Sequence, residues 1–382
     1  MIVLKKNNLE SVGFALHDFM DVFSDTFYKS NFSFFRNFII NPFCYKNVDE
    51  LLNNIEHDGF PSVKPRVDIP SVYYTTKWII ASDYVFNDDK KAQNTISFAI
   101  IPDYNDYFFL QKDIRNNQAK DIKKSSDIST GFVNILNGYP IMTISISIDK
   151  EVRLFFDEKI YFIEKINNYI RMIELQKENS CKNIDKYEEK IKLLNRYKSA
   201  IESKNPNLSI LRQIEFISSF IGFLMFEITK LIPNINQITW ISDRDPTLFY
   251  KNNEFKNPMI FDYAEMTYLA LCDSCLCKNK AALYFYLPSE RDKNLLYDEL
   301  IRIPDYFAGT LATVVANDNK NISPPHDKFT KMLAQLFTKK ERHLFFRIKT
   351  KFYEENDKMI NGIVECVRLY FYCPNSNEVK EN

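Results

Sequence analysis

Three segments in the first half of the chain have apolar patterns that are typical of β-strands. Residues 73–86 (YYTTKWIIASDYVF) and 95–101 (TISFAII) are rich in β-branched and aromatic side chains, and a polar turn separates them. Residues 140–148 (PIMTISISI) alternate apolar residues with Thr and Ser in period two, as a half-buried strand does. The polar residues 111–130 are interpreted as a long loop. Together these patterns predict an antiparallel meander of three strands.

A helical pattern begins after residue 156. Apolar residues recur three and four apart, with a break near residues 180–183, which predicts a helical hairpin over residues 158–204. Residues 209–231 carry apolar side chains almost all round and predict a helix buried on several sides. The longest apolar run, residues 216–226, is far shorter than the roughly 20 residues of a membrane span, so no membrane helix is expected.

The remaining elements alternate between strand and helix. Residues 237–242 (QITWIS) and 281–287 (AALYFYL) are predicted strands, a helix is predicted near residues 263–276, and another starts at Pro304. The predicted order is β-β-β-α-β-α-β-α, an α/β fold with a mixed sheet. We predict an aromatic-rich, helical N-terminal extension (1–70), a core (71–325) with the hairpin inserted, and a helical C-terminal lobe (326–382).

Charge and cysteine content narrow the class of protein. Fifty basic and fifty acidic residues cancel, so the net charge gives no electrostatic signature of nucleic-acid binding, although a local basic patch remains compatible with it. Seven cysteines, an odd number, favour a reducing compartment over a disulfide framework. The N-terminus has no apolar segment typical of a signal peptide. A cytoplasmic location is therefore expected.

Three carboxylates occupy informative positions in the predicted elements. Asp83 lies in the first core strand, Asp243 ends the strand QITWIS, and Asp305 follows Pro304 in the predicted first turn of a helix. Asp245 lies close behind Asp243 as a further oxygen ligand. Gly309 and the alanine at 312 share a helical face with Asp305, so this helix can approach a sheet closely.

Such a set of carboxylates suits a particular chemistry. Mg²⁺ and Mn²⁺ prefer carboxylate oxygens, and two such ions about 4 Å apart can activate a water and stabilise the leaving oxygen of a phosphodiester. Strand ends and a helix start are rigid supports for such ligands.

The element order, with the motifs ITWISDRD, LYFYLPS and IRIPDYFAGTLA, resembles the ribonuclease H-like superfamily over roughly residues 71–320. These motifs look most like an uncharacterised family of predicted ribonuclease H-like proteins found among bacterial mobile and defence genes. The resemblance implies metal-ligand roles for Asp83, Asp243 and Asp305. It also implies a nuclease acting on RNA or DNA, with antiviral defence as its setting.

Two ligand choices stay open under this resemblance. The first strand of that family usually reads Asp-Glu-Ser-Gly, whereas Tyr84 and Val85 follow Asp83 here, so Asp103 at the end of the next strand is a competing first ligand. The superfamily also has a glutamate on its first core helix, for which Glu215 and Glu227 are both candidates.

Other candidate sites have simpler explanations. Three cysteines occur in CDSCLC, at Cys272, Cys275 and Cys277, without a second pair of zinc ligands at suitable spacing, which favours packing in a helix. The four histidines show no metal-binding spacing, and no phosphate-binding or dinucleotide-binding glycine motif occurs.

Three functions follow from these patterns. The leading hypothesis is a Mg²⁺- or Mn²⁺-dependent nuclease. The alternative is a catalytically inactive ribonuclease H-like scaffold that binds or regulates a partner, and a weaker third is a strand-transfer enzyme of the transposase kind. Acidic and basic residues interleave along the hairpin 158–204, which favours a protein partner over a phosphate contact there.

Overall fold

A computed structural model describes residues 2–6, 19–30, 32–40, 42, 76–103, 107–154, 157–178, 184–243, 258–286, 297–314, 321–322, 326–339, 341–355 and 358–372. Over these residues the protein is an α/β fold, built on one mixed sheet with helices against both faces. The α/β class predicted from the element order is therefore confirmed.

Five strands form the centre of the sheet. They are β2 (Lys77–Val85), β3 (Asn94–Pro102), β4 (Met142–Ile148), β5 (Gln237–Ser242) and β6 (Ala282–Tyr286). β3 is antiparallel to both β2 and β4, which is the predicted meander. β5 pairs in parallel with β2, and β6 pairs in parallel with β5. The first and fourth core strands are thus direct neighbours.

The other described strands extend the sheet beyond β4. They are β1 (Ile2–Lys6), β7 (Asn321–Ile322), β8 (His343–Glu355) and β9 (Lys358–Tyr372). β8 runs parallel to β4, and the order of the nine strands is β6-β5-β2-β3-β4-β8-β9-β1-β7.

The predicted helical C-terminal lobe is therefore wrong for residues 343–355 and 358–372, which form the antiparallel strands β8 and β9. Arg347 and Lys349 interrupt the apolar pattern of β8 and obscure its period. Arg347 pairs with Asp149 at 3.0 Å and Lys349 with Glu365 at 3.2 Å, so neighbouring segments compensate both charges. Within the predicted lobe, only residues 327–337 are helical among those that the structure describes.

Ten α-helices are present in the described part of the chain. They are α1 (Phe19–Ser30), α2 (Phe32–Ile40), α3 (Tyr107–Asn117), α4 (Thr130–Gly138), α5 (Glu158–Glu178), α6 (Ile184–Glu202), α7 (Leu208–Leu231), α8 (Met259–Ser274), α9 (Asp298–Thr313) and α10 (Asp327–Met332), which continues into a π-helical turn (Leu333–Phe337). The hairpin of α5 and α6 agrees with its prediction. The N-terminal extension was predicted to be helical, and α1 and α2 agree with this, but its residues Ile2–Lys6 form the strand β1.

The segment predicted as a loop at residues 111–130 contains most of α3 and the start of α4. Leu110 and Ile114 bury one face of α3, but two apolar residues one turn apart are too few to show a helix in the sequence. Ser129 caps α4 by accepting a hydrogen bond from the N–H of Phe132 at 3.0 Å. Only residues 118–129, called here the 118–129 loop, lack regular structure.

The two faces of the sheet bury two separate cores. Even-numbered residues of β2 such as Trp78 and Ile80 pack in the core shared with α7, together with α1, α2, α5, α6 and α8. Odd-numbered residues such as Ile79 and Ala81 pack in the core shared with α9, together with α3, α4 and α10. We call these the α7 layer and the α9 layer. Because side chains alternate along a strand, residue parity assigns each strand residue to one layer.

Helix α7 is long and apolar enough to span a membrane, and it alone meets that test among the described residues. Its most apolar window is 78% buried inside the protein, which is how the central helix of a folded core behaves. The prediction of a helix buried on several sides agrees with this burial.

Candidate carboxylate site

Asp83 lies near the end of β2 on the side that faces α9. Ala81, two residues earlier, packs in the α9 layer, and Val85, two residues later, contacts Ala308 and Ala312 of α9. Alternation along the strand therefore directs the Asp83 side chain toward α9 as well. The side chain is 8% exposed, so a charge here is largely removed from water.

Asp243 follows β5 directly, beside Asp83. Ser82 and Ser242 are partners in the parallel β2–β5 register, so the backbones of the two aspartates lie roughly 5 Å apart. Ile241 packs in the α9 layer, and Asp243 is two residues further along the chain. Asp243 is exposed, and the edge of the sheet therefore opens to solvent at this point.

Asp305 is part of α9, which packs over β2. The prediction that this helix starts at Pro304 is wrong, because α9 begins seven residues before Asp305, at Asp298. Leu300 and Ile303 bury the early turns of α9, which offsets the one backbone hydrogen bond that Pro304 removes. Asp305 consequently lies in the middle of the helix rather than at its positive end.

The 118–129 loop closes one side of the site. Its Ile122 donates a backbone hydrogen bond to Oδ2 of Asp305 at 2.9 Å. A Cβ placed on Gly309 would lie 2.8 Å from Cγ2 of Ile122, so this glycine lets the helix approach the loop. The close approach to the sheet instead involves Ala308 and Ala312. The predicted small-residue face thus serves two neighbours.

Burial and neighbouring negative charges act on the carboxylates of Asp83 and Asp305. Burial raises the pKa of Asp83 well above its usual value, and the negative charges of Asp305 and Asp243 raise it further. Burial also raises the pKa of Asp305 to about 6, against the lowering effect of the Ile122 hydrogen bond, and the charges of Asp121 and, to a smaller extent, Asp243 contribute to the rise. Negative charge on the buried Asp83 and the half-buried Asp305 is largely removed from water, which costs free energy unless a cation or a proton compensates it.

Lysines from separate segments lie beside these carboxylates, and the sequence patterns did not indicate them. Lys123 of the 118–129 loop acts on Asp83 and Asp305 and lowers the pKa of both. Burial lowers the pKa of Lys91, and the charges that act on it are, in decreasing order, those of Asp88, Lys123, Lys328 and Asp305. The site is therefore acidic in its interior and basic at one margin.

Asp103, the competing first ligand, lies at the opposite end of the sheet. Its N–H donates to the carbonyl of Lys77 at 2.9 Å, at the start of β2, while Asp83 lies near the end of that strand. Asp103 lies opposite Lys77, and the six residue steps along β2 from Lys77 to Asp83 correspond to roughly 20 Å. Of the two candidates, only Asp83 neighbours Asp243.

Glu215 and Glu227 take part in other networks, in the α7 layer. Glu215 pairs with Lys165 and accepts hydrogen bonds from Tyr161 and Ser219. Glu227 accepts a hydrogen bond from Tyr28 of α1. Both carboxylates are fully buried on the side of the sheet opposite α9, so their candidacy as a fourth ligand is not supported.

The remaining candidates fall elsewhere or outside the described residues. Asp245 lies outside them. Cys272 is buried at the end of α8 in the α7 layer, whereas Cys275 is exposed. His343 is buried, with Nδ1 2.9 Å from Oγ1 of Thr143, and burial lowers its pKa to about 3.

Across the described residues, no group of three or more His, Cys, Asp or Glu side chains is arranged to hold a metal ion by itself. The aspartate trio is thus a shared electrostatic environment rather than a closed chelate.

Comparisons with models of known protein families, with curated proteins and with solved structures gave no match. The function of the chain must therefore be inferred from its own residues.

Proposed function

We propose that this chain is a metal-dependent nuclease that hydrolyses phosphodiester bonds of RNA or DNA through Asp83, Asp243 and Asp305. One observation carries the proposal: Asp83 of β2 lies beside Asp243, which follows β5, and under α9, and the negative charges of Asp305 and Asp243 add to the burial that raises the pKa of Asp83. Perturbed carboxylates gathered at one place are characteristic of functional sites.

The topology of the core supports a ribonuclease H-like fold within this proposal. The resemblance rests on three strands, a helix, a strand that ends in aspartate, a helix, a strand and a helix that carries aspartate. β2, β3, β4, β5, β6 and α9 follow that order, with β2 and β5 side by side in the sheet. The same arrangement brings Asp83 and Asp243 together, so the fold proposal and the site proposal support each other.

The donor set fits Mg²⁺ or Mn²⁺. All three side chains offer carboxylate oxygens, and the unusually high pKa of Asp83 reflects negative charge that a divalent cation would compensate. Mg²⁺ keeps several waters and is commonly held by one or two carboxylates together with substrate phosphates. A pair such as Asp83 and Asp243 meets that requirement without a three-ligand cage.

The residues of the chain would divide the work as follows. Asp83 and Asp243 would hold the ion, and Asp305 would complete the site from the helix. A bound ion supplies Lewis-acid activation of water and charge stabilisation at the phosphate. Burial by α9 and the 118–129 loop limits bulk water around Asp83 and strengthens its interactions. Asp245 remains a proposed additional ligand.

The test compares two aspartate variants on the same substrates. Wild type, Asp243→Asn and Asp103→Asn are assayed with Mn²⁺ on single-stranded RNA, single-stranded DNA and an RNA–DNA hybrid. Asp103→Asn is the matched control, since Asp103 also follows a strand but lies at the far end of the sheet. We expect cleavage by wild type and Asp103→Asn and at least a hundredfold loss in Asp243→Asn, on the order of a lost electrostatic catalytic group. Equal cleavage by all three would contradict the proposal.

A second candidate function is an inactive ribonuclease H-like scaffold. It is favoured by the finding that no three potential ligands among the described residues form a ready chelate. A protein partner would then dock on the α5–α6 hairpin, where Ile160 and Leu175 are more than half exposed. Lys165 and Lys190 of this hairpin pair with Glu215 and Glu265, so these two lysines are not available for phosphate.

These two functions differ in their response to metal. A nuclease site should be stabilised by Mn²⁺ in a thermal unfolding experiment, whereas an inactive scaffold should show the same midpoint with and without the ion. Cytoplasmic location and defence against foreign nucleic acid belong to the nuclease proposal and rest on the sequence alone.

A further inference from the structure

Three lysines gather at one margin of the carboxylate site, although they come from three distant parts of the chain. Lys91 belongs to the turn between β2 and β3, Lys123 to the 118–129 loop, and Lys328 to α10. The charges of Lys123 and Lys328 lower the pKa of Lys91, and the charge of Asp305 raises it. Lys123 in turn lowers the pKa of Asp305.

Lys123 is held in place through its neighbour. Ile122 is 2% exposed, and its N–H binds Oδ2 of Asp305, which fixes the loop against α9. The Nζ of Lys328 donates to the carbonyls of Ile122 and Ser125 at 2.6 and 2.8 Å and holds the loop from the other side. The side chain of Lys123 is exposed, so it projects from a rigid base into solvent beside the carboxylates.

Lys91 is held by its turn and by an aromatic ring. The N–H of Ala92 donates to the carbonyl of Ala312 at 2.9 Å, which anchors the turn on the end of α9. The Nζ of Lys91 lies 5.7 Å from the centre of the Phe329 ring, and the Nζ of Lys328 lies 5.2 Å from the same centre. The amino groups of Lys91 and Lys328 therefore lie close to the Phe329 ring. Neither forms a salt bridge with Asp305.

The chemistry of the site calls for such cations. A polynucleotide carries a negative charge at every phosphate, so a site that takes a strand needs cations for the phosphates that the metal ion does not contact. Lys328 already donates to two carbonyls and is best explained as support for the loop. Among the described residues, Lys91 and Lys123 are two amino groups at this margin that interact electrostatically with the carboxylates and do not hold the loop in place.

We propose that Lys91 and Lys123 bind the phosphate next to the scissile one, so that the site takes a polynucleotide strand rather than a phosphomonoester. This inference rests on the proposed nuclease function. Both lysines would be positioning residues, because they contact the neighbouring phosphate and not the reacting group. The strand would run from the carboxylates past the 118–129 loop toward the β2–β3 turn.

Binding is tested apart from cleavage, with a fluorescein-labelled oligothymidylate and fluorescence anisotropy in buffer that contains Ca²⁺. The variants are Lys123→Ala and Lys91→Met, the latter keeping an apolar side chain against Phe329. Lys124→Ala is the matched control, since Lys124 is the next residue in the same loop and pairs with Asp121 at 3.1 Å. Lys192→Ala on the hairpin is a second control.

We expect each of Lys123→Ala and Lys91→Met to weaken binding about fivefold, as for loss of one exposed ion pair. Each should also reduce the slope of log affinity against log salt by about 0.7, the value for one contact on a single strand. Neither control should change the slope, and Lys123→Arg should retain it. If Lys123→Ala and Lys91→Met keep the wild-type slope, the inference is overturned.

A cleavage assay with Mn²⁺ on the same oligonucleotide separates this inference from the function on which it rests. Lys123→Ala should raise KM more than it lowers kcat, and thymidine 5′-phosphate should compete only weakly. If wild type cleaves while the lysine variants behave like the controls, the lysine inference fails and the nuclease stands. If the lysine variants reduce the slope of log affinity against log salt while wild type cleaves nothing, the phosphate-binding inference is supported and the proposed nuclease function is contradicted.

Discussion

The carboxylate of Asp305 accepts a hydrogen bond from the backbone N–H of Ile122, with Oδ2 2.9 Å from the nitrogen. This bond ties the 118–129 loop to α9 at Asp305, whose charge acts on Asp83. Arg302 of α9 donates to the carbonyl of Gln118 at 2.7 Å, and Tyr306 to that of Lys120 at 3.0 Å. One helix therefore carries a proposed metal ligand and also holds the loop that brings Lys123 to the site.

The contact between Gly309 and Ile122 predicts a measurable difference between two glycine variants. In Gly222→Ala the new Cβ would meet Cβ of Thr267 at 2.8 Å and the backbone oxygen of Ala264 at 3.0 Å. In Gly309→Ala it would meet a methyl group of Ile122, which moves more easily than backbone. We expect Gly222→Ala to cost about 1–3 kcal/mol of unfolding free energy and Gly309→Ala less. Urea denaturation measures both, and the reverse order would contradict this packing.

Neutralising Asp305 should stabilise the metal-free protein at neutral pH. The pKa of Asp305 is raised from 3.8 to about 6 in the folded state, so its contribution to stability is complete below pH 4 and is lost as the pH rises through 6. Asp305→Asn keeps an oxygen for Ile122 but has no charge. We expect the unfolding free energy of Asp305→Asn to exceed that of wild type by about 1–3 kcal/mol above pH 7, and the two to be equal near pH 4.

Chemical denaturation in EDTA at pH 4 and pH 8 checks this expectation. Asp103→Asn is the control, because burial raises the pKa of Asp103 while no neighbouring carboxylate contributes to the rise. A variant Asp305→Asn that is less stable than wild type at pH 8 would show that the charge of Asp305 is compensated in the metal-free protein.

Divalent metal should stabilise the protein in a pH-dependent way. Mn²⁺ must displace the protons that Asp83 and Asp305 retain at acid pH, so binding should be strong at pH 8 and weak near pH 5. At a concentration one hundred times its Kd, the ion would increase the unfolding free energy by about 2.7 kcal/mol. Thermal unfolding with and without Mn²⁺ measures this. Mn²⁺ should no longer raise the unfolding midpoint of Asp243→Asn, whereas it should still raise that of Asp103→Asn.

The central sheet could be predicted from sequence because its strands are short apolar runs between polar turns. β3 and β4 show this clearly, since every residue of each is buried and their side chains are mostly β-branched or aromatic. β8 was missed because the charges of Arg347 and Lys349 are compensated only in the folded protein, by Asp149 just after β4 and by Glu365 of β9. No local pattern carries that information.

The same distinction applies to the site. The aspartates could be singled out because a carboxylate at a strand end is visible in the sequence, and Asp83 and Asp243 meet once β2 and β5 pair. The start of α9 was misplaced because Pro304 is a frequent first helical residue, and only tertiary burial of Leu300 and Ile303 shows that the helix begins earlier. Lys91, Lys123 and Lys328 carry no shared motif, so only the fold brings them together.

Removing the lysine of the buried pair Lys165–Glu215 should cost far more unfolding free energy than removing the lysine of the exposed pair Lys177–Glu188 within the α5–α6 hairpin. Glu215 is fully buried and the Lys165 side chain is 15% exposed, whereas the side chains of Lys177 and Glu188 are 34% and 46% exposed. Lys165→Met leaves a buried carboxylate without its cation and should cost about 3–5 kcal/mol. Lys177→Met should cost less than about 1 kcal/mol.

Urea denaturation of both variants and of the double variant Lys165→Met/Glu215→Gln measures this difference. The double variant should recover part of the loss, because the uncompensated charge is removed while Tyr161 and Ser219 still find an oxygen at position 215. Equal losses for Lys165→Met and Lys177→Met would show that Glu215 is not charged in the folded protein. It would then serve as a neutral hydrogen-bonding group between α5 and α7.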